Sequence, residues 1–179
     1  MGLSKEQKEV KITFAYERKE YVKGIRFRLR KSYVISWVQV LVLLVALGGM
    51  GVVLFLQWPS SFSVLNIFVL VLLLLVSLYG LYLYFLKPGM VYNRTPELSR
   101  TVRFLFTQED IARQDSQTAV LLDWQVQSIW SSREFYFLFE GKDGYMMLPK
   151  RAFSSPEACK LFELLVAEAN PGVTWKYYD

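Results

Sequence analysis

The chain has 179 residues, no histidine and one cysteine; 53 % of it is apolar, and 21 basic against 16 acidic side chains give a formal charge of +5. Without histidine there can be no Ser-His-Asp triad, Cys-His pair or His-bearing zinc site, and one thiol excludes an internal disulfide or a four-thiolate cluster. The charges are also segregated, with no Asp, Glu, Lys or Arg from Ser32 to Leu86, which argues against a simple soluble globule.

Residues 1–32 carry ten basic and four acidic side chains. Ile12, Phe14 and Tyr16 alternate with Lys11, Thr13 and Ala15, the period of a short strand. Tyr21, Val22, Ile25 and Leu29 then recur at helical spacing, with cations over much of the remaining surface. This predicts a basic amphipathic helix at the lipid headgroup level. Arg18, Lys19, Lys23, Arg26, Arg28, Arg30 and Lys31 are its candidate membrane-surface contacts. A plainer reading of the same charges is that they set topology and solvate the helix. No DNA- or RNA-binding motif accompanies them, so nucleic acid is not an expected partner.

The charge-free run of 55 residues would be roughly 80 Å long as one helix, against a hydrocarbon core of about 30 Å. Gln57-Trp58-Pro59-Ser60-Ser61 interrupts it. The expected layout is a first span over residues 33–56, a loop over 57–61 and a second span over 62–86, which together form a transmembrane hairpin. The triplet Ala46-Leu47-Gly48 has the small-x-small form of a signal-peptide cleavage site, but the apolar stretch continues to Leu56, which fits a retained helix. Basic residues crowd both outer ends of the hairpin and are missing from its loop, so both termini are expected in the cytoplasm. Tyr33, Trp37, Tyr79, Tyr82 and Tyr84 would form the inner aromatic belt, with Trp58 at the outer surface. Ser36, Gln39 and Ser77 are polar within the spans. Antiparallel register sets Gln39 one turn from Ser77, a candidate intramembrane hydrogen bond, unless Gln39 reaches to the interface instead. With no ionised residue in either span, an ion or proton relay is not expected.

Residues 87–100 read as a linker and residues 101–179 as a small domain. Val102–Phe106, Asp110–Asp115, Thr118–Trp124, Gln125–Trp130, Phe135–Glu140 and Tyr145–Leu148 read as strands, with Lys142-Asp143-Gly144 as a hairpin turn. Ser154-Ser155-Pro156-Glu157 signals a helix start with a capping glutamate. Ala158, Leu161, Leu165 and Ala169 form its apolar stripe, widened by Phe162 and Leu164, and Asn170-Pro171-Gly172 stops it. A bent antiparallel sheet capped by a carboxy-terminal helix is the order of a pleckstrin-homology-like (PH-like) domain. The fold class expected is thus an α+β membrane protein: a two-helix transmembrane hairpin plus a carboxy-terminal PH-like domain.

Trp124, Ile129, Phe135-Tyr136-Phe137-Leu138-Phe139 and Leu148-Pro149-Lys150-Arg151-Ala152-Phe153 resemble the YcxB-like family. The likeness is read over nearly the whole chain: amino-terminal flank, two spans, small carboxy-terminal domain. It implies residence in the bacterial inner membrane and a PH-like cytosolic domain, and it brings no catalytic residues with it.

Lys150 and Arg151, at a strand-to-helix corner, are candidates for contact with an anion or a partner carboxylate. Otherwise they are solvated, or they pair with Asp123 or Glu140. Trp124 and Trp130 are expected in the core rather than stacked on a ligand, and Cys159 is expected to be a small buried hydrophobe. Glu109, Asp110, Asp115 and Asp123 supply carboxylates without a pattern that makes them converge. Ser154 or Ser155 beside Lys150 is better explained by capping than by a Ser-Lys dyad. No glycine-rich phosphate loop or metal-ligand spacing occurs, so neither cofactor, metal nor catalysis is expected. The expected function is a non-catalytic, membrane-anchored interaction module that binds a protein partner or another copy of itself. The alternative is an anionic-lipid sensor using the basic amino-terminal helix with Lys150 and Arg151.

Overall fold

A computed structural model describes residues 9–32, 37–56, 64–141 and 144–178, without the side chains of residues 37–39. Tyr33, Ser36, Trp58 and the expected loop at 57–61 lie outside these residues, as do Lys142 and Asp143 of the expected hairpin turn and the side chains of Trp37 and Gln39. The chain divides into two compact units. One joins the amino-terminal residues up to Tyr16 with Glu97–Asp179, and the other is Glu17–Pro96.

The first unit contains two four-stranded sheets. In one, β1 (Val10–Phe14), β2 (Val102–Phe106), β3 (Asp110–Gln114) and β4 (Ala119–Asp123) follow in chain order, and every pairing is antiparallel. The alternation read around Ile12 is therefore a real strand. Val10, Ile12 and Phe14 are buried while Lys11 and Thr13 face out, and β1 pairs with β2 so that Phe14 opposes Val102. The other sheet has the order β7-β6-β5-β8, from β5 (Ser128–Ser131), β6 (Phe135–Glu140), β7 (Gly144–Pro149) and β8 (Thr174–Tyr177). At the end of β6, Gly141 takes a φ of 79°, the left-handed region that glycine enters without steric cost.

β8 was not anticipated from the sequence. It follows the final helix and lies parallel to β5, with Ile129 opposite Trp175. Its pairing strand belongs to the middle of the domain, so nothing local to Thr174–Tyr177 announces it. Residues 125–127, expected to begin a strand, precede β5; there the Gln125 amide bonds the Asp123 carbonyl and turns the chain between the sheets.

One core joins both sheets and α5 (Pro156–Ala169). Phe106, Ile111, Ile129, Leu138, Leu148, Phe162, Leu165 and Val166 are fully buried in it. Phe162 packs edge-on against Phe106 at 4.9 Å, a favoured aromatic geometry. Ser155 caps α5, accepting the Ala158 amide at 3.2 Å. Hydrogen bonding to the Ser155 side chain holds the Glu157 carboxyl below its ordinary range. The buried stripe of α5 is rotated from the one expected: Val166 faces in, and Leu164 faces out at 56 % exposure. β6 is buried on both faces at Phe135, Tyr136, Phe137 and Leu138. This explains its continuous apolar sequence where a half-buried strand would alternate.

The second unit is helical: α1 (Arg18–Lys31), α2 (Trp37–Leu56), α3 (Val64–Leu81), a π turn at Tyr82–Leu86 and α4 (Lys87–Arg94). α1 packs on α4, and α2 on α3. The run Val64–Arg94 is continuous and is the one helix among the described residues long and apolar enough to cross a membrane. α2 is equally free of charge, but its stretch with described side chains, Val40–Leu56, is shorter than a span. The expectation of two spans is thus met in part, by one helix of sufficient length and a shorter apolar neighbour. Residues 87–100, read as a linker, hold α4 and a 3-10 turn at Pro96–Ser99.

Candidate functional site

The corner after β7 brings Lys150 and Arg151 into a short 3-10 turn, where both side chains have partners within the β unit. Lys150 Nζ donates to the buried Ser131 hydroxyl at 3.0 Å and lies 4.4 Å from the centre of the Tyr136 ring, a cation–π contact. Arg151 donates to the Ala15 carbonyl at 2.9 Å, just beyond β1. Tyr16 adds a second tie by donating its hydroxyl to the Met147 carbonyl. The partners foreseen for these two cations were Asp123 or Glu140; the corner uses them instead to fasten the amino-terminal strand and brace the core. Burial, then the hydrogen bond to Glu163 at 2.8 Å, raises the Tyr136 phenol far above its ordinary range. Burial likewise pushes up the Cys159 thiol, so at neutral pH this half-buried cysteine is not activated as a thiolate.

The carboxylates serve turns. Asp115 accepts the amides of Gln117 and Thr118 at 2.7 and 2.8 Å and the Thr118 hydroxyl at 2.9 Å, closing the β3–β4 connection. Those bonds, led by the one from Gln117, hold its carboxyl below the usual range. Asp110 accepts from the Thr107 hydroxyl at 2.7 Å, within the β2–β3 turn. Asp110 and Asp123 oppose each other across β3 and β4. Among the described residues no group of three or more His, Cys, Asp or Glu side chains is arranged to hold a metal ion. Trp124 is half-buried against the core and donates its indole N–H to the Thr107 carbonyl at 3.0 Å. Trp130 lies on the opposite side of its sheet, 4.8 Å from Phe139 and 5.4 Å from Tyr178.

In the helical unit, α1 presents Arg18, Lys19, Lys23 and Arg30 as exposed cations, with Arg26, Arg28 and Lys31 half-exposed. Arg18 and Arg26 are turned onto the neighbouring helix. The Arg18 guanidinium lies where a Cβ on Gly89 would meet it at 3.0 Å. Arg26 donates Nε to the Tyr84 carbonyl at 3.2 Å and a second nitrogen to the Phe85 carbonyl at 3.4 Å. The cause is four residues away: Pro88 has no N–H to offer Tyr84, and its ring opposes a regular turn there. A π turn and one guanidinium resolve both defects. The role of Arg26 was missed from the sequence, and Pro88 was the signal that could have revealed it.

Ser77 Oγ donates to the Leu73 carbonyl at 2.7 Å, which leaves it only as an acceptor for any bond from Gln39. Between α2 and α3 runs an apolar crevice of about 380 Å³. Leu43, Leu44 and Leu47 form one wall and Val76 and Gly80 the other, with Arg30 also at its lining. At the far end of the first sheet, β4 is an edge strand that exposes Leu121 at 70 % and Val120 at 45 %.

Residues 125–166 match the family model described as YcxB-like protein. The match takes in β5, β6, β7, the Lys150–Arg151 corner and most of α5. It is narrower than the resemblance read over nearly the whole chain, since the apolar helices and the amino-terminal flank fall outside it. No curated protein and no solved structure matches the chain.

Proposed function

We propose that this protein is a non-catalytic membrane protein of the bacterial inner membrane, in which a two-span hairpin anchors a cytosolic PH-like interaction module. The observation that carries this reading is the pairing of β1 with β2. One strand precedes the apolar helices in the chain and the other follows them, yet they share a sheet. Both flanks must then lie on one side of any bilayer between them, so a crossing by Val64–Arg94 calls for a second crossing, and α2 is the apolar segment available. Basic residues at both outer ends favour the cytoplasm as that shared side. Two four-stranded sheets closed by α5 suit a PH-like fold.

The interaction surface is the edge at β4, which among the described residues pairs with β3 alone, exposes Leu121 and Val120, and carries no lysine or proline to blunt it. A strand from a protein partner, or from another copy, can extend the sheet there. Tethering at residues 16–17 and 96–97 confines the module and raises its effective concentration for membrane neighbours.

Topology reporters fused separately to the two ends, combined with a photo-crosslinking group at Leu121 in native membranes, test the proposal. The expected result is both ends in the cytoplasm and one discrete crosslinked species. Ends on opposite sides would overturn the hairpin, and a persistently uncrosslinked chain would overturn the interaction role. The exposed cations of α1 favour anionic-lipid sensing as a second reading, one that draws less on Lys150 and Arg151 because both have partners inside the β unit.

A further inference from the structure

The crevice between α2 and α3 is apolar along its length and carries one cation in its lining, Arg30. Gly80 lines it, and a Cβ there would meet nothing within 4 Å, so the wall has open space beside it. Val40, Leu43, Leu44 and Leu47 recur at helical spacing along one wall, and the Ser77 proton is committed to the Leu73 carbonyl. A volume of about 380 Å³ falls in the range of small-molecule sites. The chemistry it asks for is a long apolar chain ending in an anion.

We propose that this crevice holds one acyl chain of an anionic phospholipid, whose phosphate sits on the Arg30 guanidinium. The inference rests on the reading that α2 and α3 lie in a bilayer. Arg30 is exposed at the carboxy-terminal end of α1, two residues before the charge-free run begins. A guanidinium pairs with phosphate through a planar fork of donors, and a cation beside apolar helices on the cytoplasmic side is a recurring headgroup site. Charge complementarity also selects against the competing occupant, a span from a second copy. Ser32 to Leu86 contains no acidic residue, so such a helix would leave Arg30 without a counter-ion.

The test uses the full chain purified in mild detergent, with retained lipid read by native mass spectrometry after adding phosphatidylglycerol or phosphatidylcholine. The natural sequence should retain phosphatidylglycerol over phosphatidylcholine by roughly fivefold. Arg30→Ala should erase that preference while still holding lipid, and Gly80→Leu, which fills the crevice, should lose both lipids. Lys160→Ala removes a cation from an exposed position on α5, outside the crevice lining and the basic helix, and should leave the preference intact. An unchanged preference in Arg30→Ala, an equal loss in Lys160→Ala, or full retention in Gly80→Leu would each overturn the proposal. So would a lipid-free dimer. Recovery of the chain in solution without detergent would instead overturn the membrane reading beneath it, whereas an integral protein with an indifferent Arg30 would overturn the lipid site alone.

Discussion

The β unit and the helical unit dispose of the same residue types in opposite directions. In the first, Phe106, Ile111, Phe137 and Leu138 are completely buried. In the second, Leu65, Phe68 and Leu78 stand 67 %, 63 % and 60 % exposed along α3. The apolar residue types alone do not separate these regions, since both are rich in Leu, Val and Phe. What separates them is where the polar residues fall. β1 and β2 alternate, which gives each strand a face for water, while α3 has no charged residue to turn outward. An uninterrupted apolar surface of that extent is the kind that a membrane or a partner protein covers. The β unit is organised from within by packing, whereas the helical unit leaves its apolar surface uncovered.

Truncating a side chain in each region is the sharpest way to break this contrast. Phe106→Ala should destabilise the β unit by about 3–5 kcal/mol, seen as a lower denaturant midpoint in detergent. Leu78→Ala, nearly matched in apolar character, should change it by less than about 0.5 kcal/mol. Equal effects would mean that α3 is buried against protein after all. The next largest effect concerns the polar repair within the helical unit. Arg26→Ala leaves the Tyr84 and Phe85 carbonyls without their guanidinium, at a cost of about 1–3 kcal/mol. Faster amide exchange from Tyr82 to Tyr92 should report it. Arg26→Lys keeps the charge and any topological signal but loses the fork, so it should restore only part of the protection.

The smallest effect is a pH dependence in the β unit. The folded Asp115 carboxyl titrates below its ordinary value of 3.8, chiefly through the bonds from Gln117 and Thr118. Its contribution is therefore complete above that value and is lost as pH falls through the lower folded one. Asp115→Asn should lower stability slightly at neutral pH, and its difference from the natural sequence should vanish in strong acid. Chemical denaturation across that range provides the measurement. A difference that persists at low pH would assign the turn to geometry rather than to the ionised carboxylate.

The elements easiest to read in advance were those whose signals are local. The alternation at Ile12 and Phe14, the Ser155-Pro156 helix start and the aromatic run of β6 all appear where the sequence implies them. β8 escaped because a short parallel strand is defined by its partner, and β5 lies more than forty residues earlier. The corner cations were noticed, but not their tasks. Lys150 and Arg151 draw their partners, Ser131 and Ala15, from distant parts of the chain, which proximity in sequence does not report. The sequence presents Arg26 only as one of a basic group with its neighbours. Only the proline across the helix pair distinguishes it, through a carbonyl that proline leaves without a donor.

Because Phe14 finds its register on Val102, β1 has no partner strand until both apolar helices have been made. Both apolar helices must be synthesised and disposed of before the first sheet can be completed. Until β2 follows them, β1 has no strand to pair with. A fragment beginning at Glu97 would lack β1 altogether, so cutting it away from the helical unit would remove one quarter of a sheet rather than liberate a finished domain.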